Sequence, residues 1–141
     1  MSKANDYEND LLSLLFQAVA IGSVAAVSTG LTGLQISLHT ADPTDTGSQT
    51  SNEATYTSYT RIATTRSTAG WVVSSGQASP VSSITFPAAT STSTSTITHF
   101  GVGISTGGAG RLYYSGTVTP NVNIGLAVQP ILTTGTVISE D

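Results

Sequence analysis

The chain has 141 residues, enough for one domain with its own core, and a formal net charge of −4 with Lys3, Arg61, Arg66 and Arg111 as its only cations. Four scattered cations exclude a phosphate-backbone ligand such as nucleic acid, and the absence of cysteine removes disulfides, zinc thiolates and thiol nucleophiles together. Charged residues make up 9% of the chain and hydrophobic ones 38%, while roughly a third is Ser or Thr: a folded composition rich in strand surface.

A helix is expected from Asn5 to about Ala20, with Asn5 as N-cap, Glu8 three residues on, and Asp6 and Asp10 at the positive end of the dipole. Leu11, Leu12, Leu15, Phe16 and Val19 form one broad apolar stripe, and Leu14 lies off it. A helix so widely apolar needs cover on more than one side, which makes Tyr7, Leu11, Leu12, Leu15 and Phe16 the candidate partner-contacting residues. No charged residue occurs from Leu11 to Leu38, the length of a membrane span. The acids before it have the wrong sign for a signal peptide, and Gln17, Ser23, Ser28, Thr29, Gly30 and Gly33 interrupt it, so neither a membrane segment nor a signal peptide is expected.

At Leu34 the period changes to two. Leu34, Ile36 and Leu38 face inward and Gln35, Ser37 and His39 outward. Residues 1–33 are therefore read as a helix and connector, and residues 34–141 as a single β domain. Thr40–Thr57 has no period and contains Asp42-Pro43 and Gly47-Ser48-Gln49, which marks a long loop of the functional or mobile kind. Strand candidates follow at Tyr59–Arg66, Gly70–Val73 and Ser83–Phe86, the last stopped by Pro87. The unbroken Ser/Thr run from Thr90 to Thr96 fits either a solvated strand or a linker.

The clearest local signal is a hairpin. Phe100, Val102 and Ile104 share one face, Leu112, Tyr114 and Val118 share another, and Thr106–Gly110 supplies the turn. Val122, Ile124, Leu126 and Val128 alternate as a further strand, and Thr136–Ser139 makes the last. About eight strands after one helix, with no βαβ repeat, give a mostly β fold: an antiparallel β-sandwich of jelly-roll type with one N-terminal helix.

Groups able to do chemistry are few. His39 precedes Asp42 and Asp45, but nothing holds the three in a metal-ligand register, and a surface histidine beside a loop aspartate is the expectation. His99 reads as a half-buried hydrogen-bonding residue. No serine sits in Gly-x-Ser-x-Gly, and Asp42, Asp45 and Glu53 share one loop, a poor frame for a glycosidase pair. Gly101-x-Gly103 and Gly107-Gly108-x-Gly110 join strand to strand, so they suit a hairpin better than a phosphate cradle. Tyr56, Tyr59 and Tyr113 could present rings to a carbohydrate, but cross-strand packing is the stronger reading. No catalytic, cofactor-binding or metal-binding residue is expected, and no enzyme.

Ordered short motifs do carry a resemblance. Leu-His-Thr-Ala-Asp-Pro at 38–43, Gly-Ser-Gln at 47–49, Asn-Glu at 52–53, Tyr59, Arg61, Gly-Trp at 70–71, Ile-Thr-Phe-Pro-Ala at 84–88, Thr-His-Phe-Gly-Val-Gly at 98–103 and Leu-Tyr-Tyr-Ser-Gly at 112–116 run in that order. The series resembles a family of small tailed-phage virion proteins that includes capsid cement (decoration) proteins of short-tailed phages. The similarity covers roughly residues 34 to 118. It implies a non-enzymatic jelly-roll on the outer capsid surface of the virion, which ties major capsid protein subunits together and assembles with itself as a homodimer or homotrimer, without cofactor, nucleic acid or membrane. Other members are tail or tail-fibre proteins, which makes the alternative a fibre component, a receptor or glycan binder using the 40–57 loop and its neighbouring tyrosines.

Overall fold

A computed structural model gives the fold of residues 3–92 and 95–140. In chain order the elements are α1 (Asn5–Phe16), β1 (Gly33–His39), β2 (Ile62–Thr65), β3 (Trp71–Ser74), β4 (Gln77–Pro80), β5 (Ile84–Thr85), β6 (Thr96–Gly103), β7 (Leu112–Asn123), β8 (Ile131–Leu132) and β9 (Ile138–Ser139). They form a four-stranded sheet in the order β2-β1-β6-β7, a three-stranded sheet β3-β4-β9 and a two-stranded pair β5-β8. The pairings of β1 with β6, β6 with β7, β3 with β4 and β4 with β9 are all antiparallel. The fold is thus mostly β with one helix, as expected, and consistent with the jelly-roll type. The chain forms two compact units, one made of residues up to Gly33, Thr64–Ile84 and the segment from Leu132 on, the other of Leu34–Ala63 and Thr85–Ile131. Of the Ser/Thr run, Ser93 and Thr94 lie outside the described residues, and strand begins only at Thr96.

In the first unit, α1 starts one residue earlier than its sequence signals suggest. Ala4, not Asn5, holds the cap position in an extended conformation and makes no side-chain cap bond. Asp6 and Glu8 in the first turn remain to complement the helix dipole. The helix also stops at Phe16, short of the expected Ala20. Ala18 takes a left-handed conformation (φ 57°) and the Val19 N–H reaches back to the Ser13 carbonyl. The buried Arg66 guanidinium then satisfies the freed carbonyls, with Nε bonding Leu15 at 2.7 Å, Nη2 bonding Leu14, and Nη1 bonding Leu31 at 3.3 Å. A cap contributed from fifty residues away leaves no local trace.

Leu12 and Phe16 are fully buried, the Phe16 ring centroid lies 4.6 Å from that of Trp71, and α1 packs on β3 and β4. Strand β4 was not anticipated. Its hairpin with β3 turns through Ser75 and Gly76, both at positive φ, as a two-residue type I′ connection does. Asn9 Oδ1 accepts the Gly76 N–H at 2.8 Å, which pins that turn to the helix. α1 is twelve residues long, and no helix among the described residues is long and apolar enough to cross a membrane.

In the second unit, β1 is the central strand, and every residue from Leu34 to His39 is buried. The expected outward face of Gln35, Ser37 and His39 is therefore an interior one, because the 40–57 loop folds over it. Next to it, β6 pairs with β7 through a register shift: Ile97 faces Val122 and His99 faces Thr117, so Val118–Asn121 bulge opposite Thr98 alone. Pro120, which has no N–H to give a ladder, sits in that bulge. Two further expectations need correction. Ile104 falls beyond the end of β6 and is exposed, and the alternation after Val122 is not a strand of its own. β7 runs through to Asn123, after which Ala127 (φ 65°) forms a turn that leaves Leu126 62% exposed.

Phe16 fills the space between α1 and Trp71, so Phe16→Ala is expected to destabilise the protein by about 3–5 kcal/mol. Urea unfolding followed by Trp71 fluorescence measures it, and a loss below about 1 kcal/mol would mean the ring is not core.

Candidate functional site

The polar residues of β1 and of the loop after it form one connected cluster in the second unit. His39 is wholly buried, with Nδ1 2.8 Å from the Ser51 carbonyl and Nε2 2.8 Å from the Ser37 hydroxyl. A carbonyl only accepts, so Nδ1 carries the proton and Nε2 accepts from Ser37: a neutral imidazole with both nitrogens satisfied. Burial lowers its pKa below the ordinary 6.5, and Arg61 and His99 push the same way, against the Ser51 carbonyl and Glu53. The expected surface histidine is thus a core one, and its bonds go to Ser37 and Ser51. Among the described residues no group of three or more acids or histidines is placed to hold a metal ion. His99, half-buried and 2.9 Å from the Thr98 hydroxyl, is placed as expected.

Two glycines make room for this cluster. In the β1–β6 register Ser37 faces Gly101 and Gln35 faces Gly103. A Cβ on Gly101 would lie 2.6 Å from His39 Nε2, and one on Gly103 only 2.2 Å from the Cδ of Gln49. Gln49 itself is fully buried, donating through Nε2 to the Gln35 carbonyl at 3.2 Å and accepting the Ser105 N–H at 2.9 Å. Its backbone N–H bonds the Gly110 carbonyl at 2.9 Å. The loop is further closed on itself by Thr40 N–H to Asn52 and stitched to β1 by Ala54 N–H to Leu38, both at 2.8 Å.

The loop's far end is held by an ion pair. Arg61, its side chain 2% exposed, bonds Glu53 through Nε and Nη2, each at 2.7 Å, and reaches the carbonyls of Ser105 and Gly108, each at 2.8 Å. The Glu53 hydrogen bonds raise the Arg61 pKa further, so the guanidinium stays charged. The Tyr59 hydroxyl donates to Glu53 at 2.9 Å and accepts the Leu38 N–H at 3.0 Å, and burial raises its pKa. Tyr59 stacks on Phe86 with centroids 6.3 Å apart and meets Tyr56 edge-on at 5.3 Å. Tyr56 is buried with its pKa pushed up to about 12 and its hydroxyl on the Pro87 carbonyl. Tyr56 and Tyr59 are therefore packing residues, while Tyr113 stays exposed on β7.

In the first unit, the residues singled out on α1 separate. Leu12 and Phe16 are core and present no surface, Leu11 and Leu15 are half-buried, and Tyr7 is 44% exposed. Val19, just past the helix, is 47% exposed. Sequence reasoning passed over Gln49, Ser37 and the Glu53–Arg61 pair. The signal for the first two was the glycine spacing at 101 and 103, which marks side chains crossing a strand.

These features describe a β-rich protein of structural build, in which the polar residues hold a loop in place. The model of a family described as podophage GP4 fiber I protein gp80 matches residues 2–137, and the chain belongs to that family. It is a structural protein of a short-tailed phage virion. No curated protein matches the chain.

Two outcomes follow from the cluster. Gly103→Ala forces a methyl group onto buried Gln49 and is expected to cost about 1–3 kcal/mol in urea unfolding, whereas Gly107→Ala, whose Cβ would meet nothing, is expected to be nearly silent. His39 has a depressed pKa in the fold, so its contribution is complete above pH 6.5 and is lost as the pH falls through the folded value. His39→Gln should flatten the stability profile below pH 6.5. Profiles of equal slope would show that His39 does not titrate on unfolding.

Proposed function

We propose that the protein is a non-enzymatic component of the phage's tail-fibre apparatus. The supporting observation is the family match over residues 2–137 to a group described as fiber proteins. The site chemistry agrees with that reading. The His39 imidazole is buried with both ring nitrogens engaged, and the Glu53–Arg61 pair is tied to backbone carbonyls. Groups held in this way keep a surface rigid and leave nothing to move a proton.

A second reading, capsid cement on the outer capsid surface, is favoured by one feature, the unfilled apolar side of α1. Tyr7 and Val19, with the half-buried Leu11 and Leu15, form a strip flanked by the exposed acids Asp6 and Asp10. Such a strip suits an apolar groove edged with basic residues, on the major capsid protein or on a fibre's attachment protein. In either setting self-association as a dimer or trimer would multiply the contact.

Copy number and position separate the two. Gold-labelled antibody on purified virions should mark the tail end, with the chain present at a small fraction of the major capsid protein. Label spread over the head, at copies in proportion to the major capsid protein, would replace the fibre reading by the cement one.

A further inference from the structure

β7 stands at the end of the four-stranded sheet, and no strand among the described residues pairs with its outer edge. An edge strand directs about half of its N–H and C=O groups outward, and proteins guard such edges with charges, prolines, bulges or short length. β7 is twelve residues long and none of them is charged. Its strongest guards sit at the far end, where Pro120 lies in the Val118–Asn121 bulge. In the first half, Leu112–Thr117, the one irregularity is Tyr113, which has no partner on β6 and is 38% exposed.

A depression of about 240 Å³ opens against that same half, lined by Leu112–Ser115 of β7 and by Thr44, Asp45 and Gly47. Asp45 is its only charged residue. The turn that carries Asp45 is fixed in advance. Asp42 Oδ1 accepts the Thr44 N–H at 2.8 Å, the Thr44 carbonyl accepts the Gly47 N–H at 3.1 Å, and Ser48 bridges to Arg111 at the head of β7.

We propose that the first half of β7 takes an extended segment of another protein as an added strand, with a Lys or Arg side chain of that segment in the depression beside Asp45. The backbone edge selects the shape of the partner, because only an extended chain matches a ladder of alternating donors and acceptors. The depression selects one side chain. It begins on β7 itself, and an added strand lies about 4.8 Å away, within reach of a long side chain. An acidic side chain would be repelled by Asp45, and an apolar one would cover the carboxylate without answering its charge. A cation answers it and has tyrosine rings beside it. A second copy of this chain cannot supply that cation. Arg61 and Arg66 are buried and bonded within their own units, and Lys3 pairs with Glu140 at 3.0 Å. An antiparallel copy paired along Leu112–Thr117 would set its Arg111 past Thr117, at the opposite end from Asp45. This contact belongs to the second unit, is additional to the α1 strip of the first, and serves a fibre or a head alike.

The test is an amide NMR titration of the whole chain with short capped peptides that alternate Thr and Val and carry a single Lys, placed at each position in turn. Matching peptides with Glu or norleucine in place of Lys, and one with proline at alternate positions, serve as probes of charge and of the ladder. At least one Lys peptide should give saturable shifts confined to residues 44–48 and 111–118, with a Kd on the order of 1 mM. The Glu and proline peptides should bind more weakly. Asp45→Asn should weaken the best Lys peptide about fivefold and leave its norleucine counterpart unchanged. No saturable shift with any Lys peptide would overturn the proposal, as would a Glu peptide that binds as tightly or an Asp45→Asn variant that loses nothing. A free protein that sediments as a dimer with its β7 amides protected from exchange would overturn it too, by giving the edge to a second copy.

Discussion

A strand buried on both faces must satisfy the polar groups it carries, and β1 presents the Ser37 hydroxyl, the His39 imidazole and, on its main chain, the Gln35 carbonyl. That requirement organises the second unit. The 40–57 loop supplies the Ser51 carbonyl for His39 and the Gln49 amide for the Gln35 carbonyl, while Gly101 and Gly103 on β6 open the space in which those groups meet. An unsatisfied buried polar group costs about 1–3 kcal/mol, so strand, loop and glycines stand or fall together. The loop thereby acts as a second layer over the sheet, with Asp42, Asp45, Asn52 and its threonines left to solvent.

Most of the β architecture was legible from alternation and turn residues. The helix, the central strand, the Phe100–Val118 hairpin and the short last strand all stand close to their expected places. What escaped was set by long-range partners. The end of α1 depends on Arg66, which local periodicity cannot foresee. His39 looked like a solvent-facing residue because it alternates with Leu38, and alternation identifies two faces without saying what covers the second. The β3–β4 hairpin was missed for a different reason: Ser75-Gly76 is a recognisable two-residue turn, but Gln77–Pro80 has too little hydrophobic alternation to announce a strand.

The motifs that carry the family resemblance are largely the pieces of this loop-holding cluster. Leu38-His39, Gln49, Glu53, Tyr59 and Arg61, with Gly101 and Gly103 making room for them, come together although they span 66 residues of sequence. They describe how the second unit is built. The surfaces this frame leaves exposed include the apolar strip of α1 within the first unit, where the proposed contact lies.

The most direct test of the two-sided burial of β1 is amide hydrogen exchange in the 40–57 segment. The N–H groups of Thr40, Gln49 and Ala54, each bonded to a backbone carbonyl, should exchange as slowly as those pairing β1 with β6. Exchange of these three at the rate of an unstructured peptide, with β1 and β6 still protected, would contradict it and return the segment to an ordinary surface loop.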